Sequence, residues 1–562
     1  MSAFFLTLCE RDAPDWLQRL LDEPPKGWRK TSLTLGVDLF VPEAQRPSWR
    51  SWNAQSLLVG EAYDRRTGQA RTANDLQQAA AQQMGPSEMV WGRFVYAAWD
   101  GSRRLTTLYR DPSGALEAIA WRKEHVSLAA SALPTAFRSA WPADLDLDVS
   151  RLAAGVHDPI HHLAGAPLTG VTSLAPGQAL KGDDLVQAWR PRDWAKATAP
   201  DDPSQTLVEA VQTALASLAG KRVLVELSGG LDSAIVAGSL QSANLAAVNY
   251  YVADRQGDER VYARAAADHL GLNLAEVALE AVPLDLNSLR QAEPGLRPCP
   301  AAFDQAHATL RAAHALAEKA DCVLTGQGGD DLFFQTPTPL IAAEGAGRGL
   351  SLPDLLALCR WCGLSIYELT RRAVSPPRPG SPHLQLLSDD GLAMAATATS
   401  HPWLTDLRGV SRVKQLQIRS LAGALTVQAL AVSEASCVIH PLLSQPVMEA
   451  CLSIPCWLLT KGGRDRGLAR SAFADRVAPR VLARRSKGRL SAHYGRRLSR
   501  SRQELLALLL EGQMARRGLL RRDAVEWALQ PQSLIWRGGY GSLFNLIMTE
   551  LWLEAWAKRL GR

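Results

Sequence analysis

Apolar and polar positions alternate with a period of two through much of the first third of the chain. The stretches "GRFVYAAWD" (Gly92–Asp100) and "LTTLYRDPSG" (Leu105–Gly114) therefore predict paired strands joined by polar turns. A Pro-, Asp- and Ala-rich stretch, Arg190–Thr206, predicts a linker between domains. Beyond it the pattern changes. A helical period in "LVEAVQTALASLAG" ends at Gly220, and the strand-like "RVLVELS" follows. Then come a helix in "DSAIVAGSLQSA", a strand in "LAAVNYYVA" and a helix in "ERVYARAAADHLG". Strand and helix in alternation predict an α/β fold with a parallel sheet covered by helices on both faces. From about Pro353 onward the pattern is mostly helical. The expected division is a sheet-rich domain over residues 1–195 and a second domain over residues 205–562.

Composition narrows the class. A chain of 562 residues with 47% hydrophobic content can bury more than one core. No run approaches the ~20 apolar residues of a membrane span, and Glu10, Arg11 and Asp12 break the apolar start, so no signal peptide is read. Eight cysteines are sparse for this length and form no framework, which predicts a cytoplasmic protein with reduced thiols. The net charge of +6 is mild but uneven, with fourteen Lys or Arg between Lys461 and Arg502. Apolar residues interrupt that block, which predicts a folded, phosphate-facing surface. Aromatic residues do not interleave with it in the manner that stacks bases, so no nucleic acid is expected. The lone "CRWC" pair and the histidines at 157, 161 and 162 lack partners at metal spacing, so no metal is inferred there.

The candidate chemistry lies in two glycine loops. In "VLVELSGGLDSAIVAG" (Val223–Gly238) a strand turns into a helix through Gly229 and Gly230. That is where open parallel sheets bind ligands. The glycines let an anion approach the backbone, Ser228 and Ser233 add hydroxyls, and the helix offers free N–H groups. The lysine of a P-loop is absent. Asp232 among phosphates would be repulsive without a cation between them, and Mg²⁺ is the usual one. Mg²⁺ in turn predicts a second acid, and "LTGQGGDDLFF" (Leu324–Phe334) supplies Asp330, with Asp331 as a cap or helper.

"SGGLDS" resembles the pyrophosphatase loop of the asparagine synthetase superfamily, and "TGQGGDD" resembles its second magnesium loop. The segments "WGRFVYAAWD", "DERVYARAAADHLG" and "HPLLSQPVMEACLSIP" extend the similarity over nearly the whole chain. The resemblance implies an inactive glutaminase-like sandwich of the N-terminal-nucleophile type, then a helix-rich synthetase domain with an adenine-nucleotide-hydrolase-like parallel sheet. It implies ATP and Mg²⁺. It also implies ATP contacts from Leu227, Ser228, Gly229, Gly230, Leu231, Asp232, Ser233, Val248, Thr325 and Gly326, and metal contacts from Asp232 and Asp330. "RRSKGRLSAHYG" is similar to the segment carrying the superfamily's catalytic lysine, which gives Lys487 that role. With "HPLLSQP" and "GGRDRGLARSAFAD" (Gly462–Asp475), it most resembles the lasso-peptide macrolactam cyclases. Such enzymes adenylate an Asp or Glu side chain of a precursor peptide, whose own N-terminal amine then closes the ring. A leader-peptidase maturation protein is the implied partner.

Departures from the superfamily pattern shape the expected chemistry. Ser2 stands where glutamine-dependent members expose a cysteine, and Cys9 lies in an expected strand. No glutaminase activity is therefore expected, and the nitrogen must arrive as a substrate amine. Asparagine synthetases carry an acid, and β-lactam synthetases a tyrosine, where this chain has Gln327. Glutamine is no general base, which leaves Glu434 and His440 as candidates on position alone. Arg464, Arg466 and Arg470 are candidates to grip phosphate or an acidic peptide. A small-molecule cyclase, an ammonia-dependent asparagine synthetase and a tRNA-modifying enzyme are the alternative readings.

Overall fold

The computed structural model describes residues 3–43, 49–71, 86–240, 244–254, 257–375, 384–426, 437–485, 487–488, 490–536 and 538–562. The N-terminal region holds two antiparallel six-stranded sheets packed face to face. Val90–Trp99 lies at the heart of one sheet, paired along its length with Ser56–Asp64. Phe5–Cys9 is central to the other, between Val37–Pro42 and Val126–Ala130. The two-residue period sorts the side chains as expected. Phe4, Leu6 and Leu8 enter the core between the sheets, with Val59, Val95 and Leu108 from the facing sheet. Phe5 turns the other way and stacks on Phe137 at 4.2 Å.

The C-terminal region is built on a parallel sheet of five strands. They are β1 (Val223–Glu226), β2 (Leu245–Tyr251), β3 (Leu274–Ala278), β4 (Cys322–Leu324) and β5 (Val438–Ile439). Their spatial order is β3-β2-β1-β4-β5. The register places Val223 beside both Leu245 and Cys322, so β1 is central. The order reverses beside β1, and the crevice outside the carboxyl ends of β1 and β4 is where such sheets take ligands.

The chain between the two regions is less open than its composition predicts. Pro191–Ala195 is helical, because a proline is accommodated at the first helical position, and Pro191 is buried. This short helix packs on the Gln445–Ser453 helix. The helix expected to reach Gly220 stops at Ala216, where the chain tightens into turns.

The two regions share cores. Tyr63, Trp91 and Trp189 join the cluster under the parallel sheet, and Trp556 of the last helix joins the cluster containing Phe5. That helix, Tyr540–Arg559, buries Asn545, which bonds His162 at 3.0 Å and donates to the Gly155 carbonyl at 2.7 Å. Across the same seam Glu61 pairs with both Arg93 and Lys221. Among the described residues no helix is long and apolar enough to cross a membrane.

Candidate active site: two glycine loops and a basic strap

The two glycine loops leave the carboxyl ends of β1 and β4 and press together. A Cβ on Gly326 would lie 2.4 Å from the backbone nitrogen of Ser233, so only glycine permits this approach. Gly229 adopts φ +84, and a side chain there would meet the Glu259 carbonyl at 2.7 Å. The helix Leu231–Ser239 starts directly behind Gly230, so its free N–H groups face the crevice mouth. The Ser228 hydroxyl lies 3.1 Å from that of Ser233 and accepts from the Gly230 N–H at 3.3 Å, which fixes the loop.

Asp232 and Asp330 come together in this crevice. Their shared partner is Arg466, whose Nη1 donates to Asp232 Oδ2 at 2.8 Å and to Asp330 Oδ1 at 2.6 Å. Lys487 binds the other oxygen of Asp330. Asp465 orients Arg466 by accepting from its Nε at 3.0 Å and its Nη2 at 2.8 Å. Oδ1 of Asp232 is buried with no partner. Burial and the neighbouring Asp330 push the Asp232 carboxyl up to about 7, against the pull of Arg466. Asp331, beside Asp330 on the same wall, accepts from the Ser420 hydroxyl and is pushed up to about 6 by burial.

The basic segment is a strap over the first loop. Arg484 donates to the Gly229 carbonyl at 3.0 Å, pairs with Glu259, and lies over the Tyr262 ring at 4.1 Å. The Gly488 N–H donates to the same Glu259 at 2.7 Å, so Lys487 sits on a loop tied at both sides. The sequence points only faintly to Glu259 and Arg484. Glu259 directly precedes the helix Arg260–Leu270, and Arg484 is one of many arginines in its block.

Ser228, Gly230, Leu231, Asp232 and Ser233 line one continuous cavity of 1210 Å³ with Thr325, Gly326, Gln327, Asp330, His440, Arg466, Arg470 and Lys487. Leu227 and Val248 are not on that wall. Both are fully buried, and Val248 packs in the sheet core with Leu224 and Val323. Arg464 is also off the wall, its Nη2 held by the Leu482 and Arg484 carbonyls. Arg470 is spent on Asp465 at 2.8 Å and the Leu482 carbonyl at 2.7 Å. Nδ1 of His440 lies 2.7 Å from the Thr325 hydroxyl, which also accepts from the Gln327 N–H at 3.1 Å. Burial, with Arg311 and Arg93 nearby, pushes this imidazole down to about 3, so it is neutral at pH 7. Glu434 lies outside the described residues.

Residues 204–558 match the family model described as asparagine synthase, which covers the parallel sheet, both glycine loops and the strap. The chain belongs to the asparagine synthase family. A search of curated proteins finds no match to the chain. Asparagine synthase family members are ATP-dependent amide ligases that activate a carboxylate by adenylation. The mixed α/β architecture, with its sheet-rich N-terminal region, is consistent with the asparagine synthase fold.

Proposed function

We propose that this protein is an ATP-dependent, AMP-forming macrolactam synthetase acting on a precursor peptide. The observation that carries the reading is the cavity. Its 1210 Å³ exceeds the roughly 300–1,000 Å³ of a small-ligand site. It runs from the nucleotide loops to Ala3, Trp28 and Ser131 of the N-terminal sandwich, which suits a folded peptide segment. Cys9 supports an amine rather than ammonia as the nucleophile. It is the sole cysteine of the N-terminal region, and it is buried with its thiol pushed up by burial. A thiol so placed is no nucleophile.

The residues suit ATP with Mg²⁺. The unpartnered Oδ1 of Asp232 and the carboxylate of Asp330 are the groups that would hold the cation. Bound Mg²⁺ supplies charge neutralisation on the nucleotide phosphates. The Ser228 and Ser233 hydroxyls and the helix N-terminus behind Gly230 donate to those phosphates. An Asp or Glu side-chain oxygen of the peptide attacks the α-phosphorus, and pyrophosphate leaves. The peptide's N-terminal amine then attacks the acyl carbon, the C–O bond to AMP breaks, and the amine loses a proton. Lys487 places a positive charge where the oxyanion forms and AMP departs. Arg466 holds the two carboxylates against each other when no cation lies between them.

The test is incubation of the full chain with ATP, Mg²⁺ and a synthetic peptide that starts with glycine and carries Asp or Glu several residues on. AMP release together with a peptide lighter by one water supports the reading. Release of AMP with ammonia but never with a peptide amine would make the protein an asparagine-forming enzyme instead.

A further inference from the structure

The groups of the two glycine loops suit phosphates, which every nucleoside triphosphate carries. Selection of the base needs another group, and Leu227 and Val248 are buried off the wall. Among the described residues none of β2 lines the cavity, so it leaves the loops on the side of β1, β4 and β5. A nucleotide with its phosphates at Ser228 and Gly230 therefore extends its sugar and base in that direction.

That side continues one face of the sheet. Leu224, Val323 and Val438 pack there with Ala315 of the helix Gln305–Ala317. The two-residue period puts Glu226, Thr325 and His440 on the same face, one step nearer the crevice. The pairing of Val225 with Leu324 makes Glu226 the neighbour of Thr325, which contacts His440 at 2.7 Å. Glu226 ends β1 and precedes Ser228 by two residues, about 7 Å of extended chain. Its Oε1 is buried, 2.8 Å from Nε of Arg311. Its Oε2 accepts from no described residue and is the oxygen left open, in a side chain that is 16% exposed and lines the cavity.

The charges around this carboxylate cancel. Arg311 pairs with it, and His307, 3.9 Å from the same oxygen, is lowered by burial from its ordinary 6.5 and is neutral at pH 7. His440 is neutral as well. Among the described residues a charged ligand gains little here, whereas a neutral N–H donor suits the open oxygen. Ala308 and Ala312, one helical turn apart, and Val438 give the wall small apolar side chains, which leave room for a flat ring.

We propose that Glu226 selects the nucleobase, its Oε2 accepting a hydrogen bond from the 6-amino group of adenine. The inference rests on the reading of the protein as an ATP-using ligase. A carboxylate only accepts, so it disfavours hypoxanthine and guanine, which carry a carbonyl at that position.

The test is calorimetric titration of the full chain with ATP and with ITP, both with Mg²⁺. The wild type is expected to bind ATP about 10–100-fold more tightly than ITP. Glu226→Gln keeps the shape, and its amide can turn to donate to the carbonyl. ATP should then weaken, ITP should strengthen, and the ratio should fall to about threefold or less. A purely structural role would lower both affinities and leave their ratio unchanged. Equal affinities in the wild type, or an unchanged ratio in Glu226→Gln, overturn the proposal and leave ATP binding and the ligase reading standing. A wild type that binds no ATP removes both. Should Glu226→Gln fail to fold, a wild-type crystal with α,β-methylene ATP decides. The 6-amino nitrogen must lie within about 3.2 Å of Oε2 of Glu226, and a base seated elsewhere refutes the proposal.

Discussion

Nη1 of Arg466 lies 2.8 Å from Oδ2 of Asp232, deep in the crevice between the two glycine loops. The same nitrogen reaches Asp330 at 2.6 Å. One guanidinium thus bridges the two carboxylates. Arg466→Gln leaves the acids facing each other with only Lys487 as a cation, half exposed and on Asp330 alone. The metal-free variant should lose about 2–4 kcal/mol, somewhat less than a fully buried broken pair because Asp330 is partly exposed. Added Mg²⁺ should restore more stability to the variant than to the wild type. Urea titrations with and without Mg²⁺ measure this, and equal Mg²⁺ responses would refute the counter-ion role.

The raised Asp232 carboxyl sets a pH dependence. Its folded value, about 7, lies above its ordinary value of 3.8, so the folded protein holds this proton more tightly than the unfolded chain does. Its contribution to stability is therefore fully present below pH 3.8 and is lost as pH rises toward 7. Cation binding works in the opposite direction, since protonated Asp232 carries no charge. The Mg²⁺ concentration giving half-maximal ATP–pyrophosphate exchange should rise as pH falls from 8 to 6. Asp232→Asn should abolish exchange at every pH, and a Mg²⁺ requirement that does not change with pH counts against this carboxylate as the ligand.

Lys487 contacts Asp330 from the strap, with half of its side chain exposed. Lys487→Met keeps the stem and deletes the charge. Pyrophosphate exchange should remain detectable, while formation of the dehydrated peptide should fall roughly 10²–10³-fold, the scale of losing one oxyanion donor. Equal loss of the two half-reactions would put Lys487 on the nucleotide phosphates.

The seam between the two regions should carry an acid-sensitive share of the stability. Arg93 and Lys221 hold the Glu61 carboxyl well below the usual range, against the opposing effect of burial. A depressed carboxylate contributes stability that is present above its ordinary value of 4.5 and lost as pH falls through the folded value. Glu61→Gln should cost about 2–4 kcal/mol at pH 7, because it strands the buried Arg93. The gap from the wild type should close as pH falls below 4.5, and a gap that stays constant with pH would assign the loss to packing.

How much was legible follows from where each signal sits. The parallel sheet and both acids stand out because each glycine pair lies within a few residues of the end of an apolar strand. The common partner of the acids is not legible, since Arg466 is 234 residues from Asp232 and looks like any arginine in a basic block. Asp465, which aims Arg466, is one of only two aspartates in that block, and this is the nearest thing to a local hint. Val248 shows the converse. A resemblance carries a position over without its side-chain direction, and the two-residue period of β2 turns Val248 into the sheet core.

Glu259 serves two loops with one carboxylate. It accepts from Gly488 beside Lys487 and pairs with the arginine that grips the Gly229 carbonyl. One side chain at the start of the helix after β2 thus sets the distance between the anion-facing loop and the lysine-bearing loop, so a change at residue 259 would be felt at both ends of the crevice together.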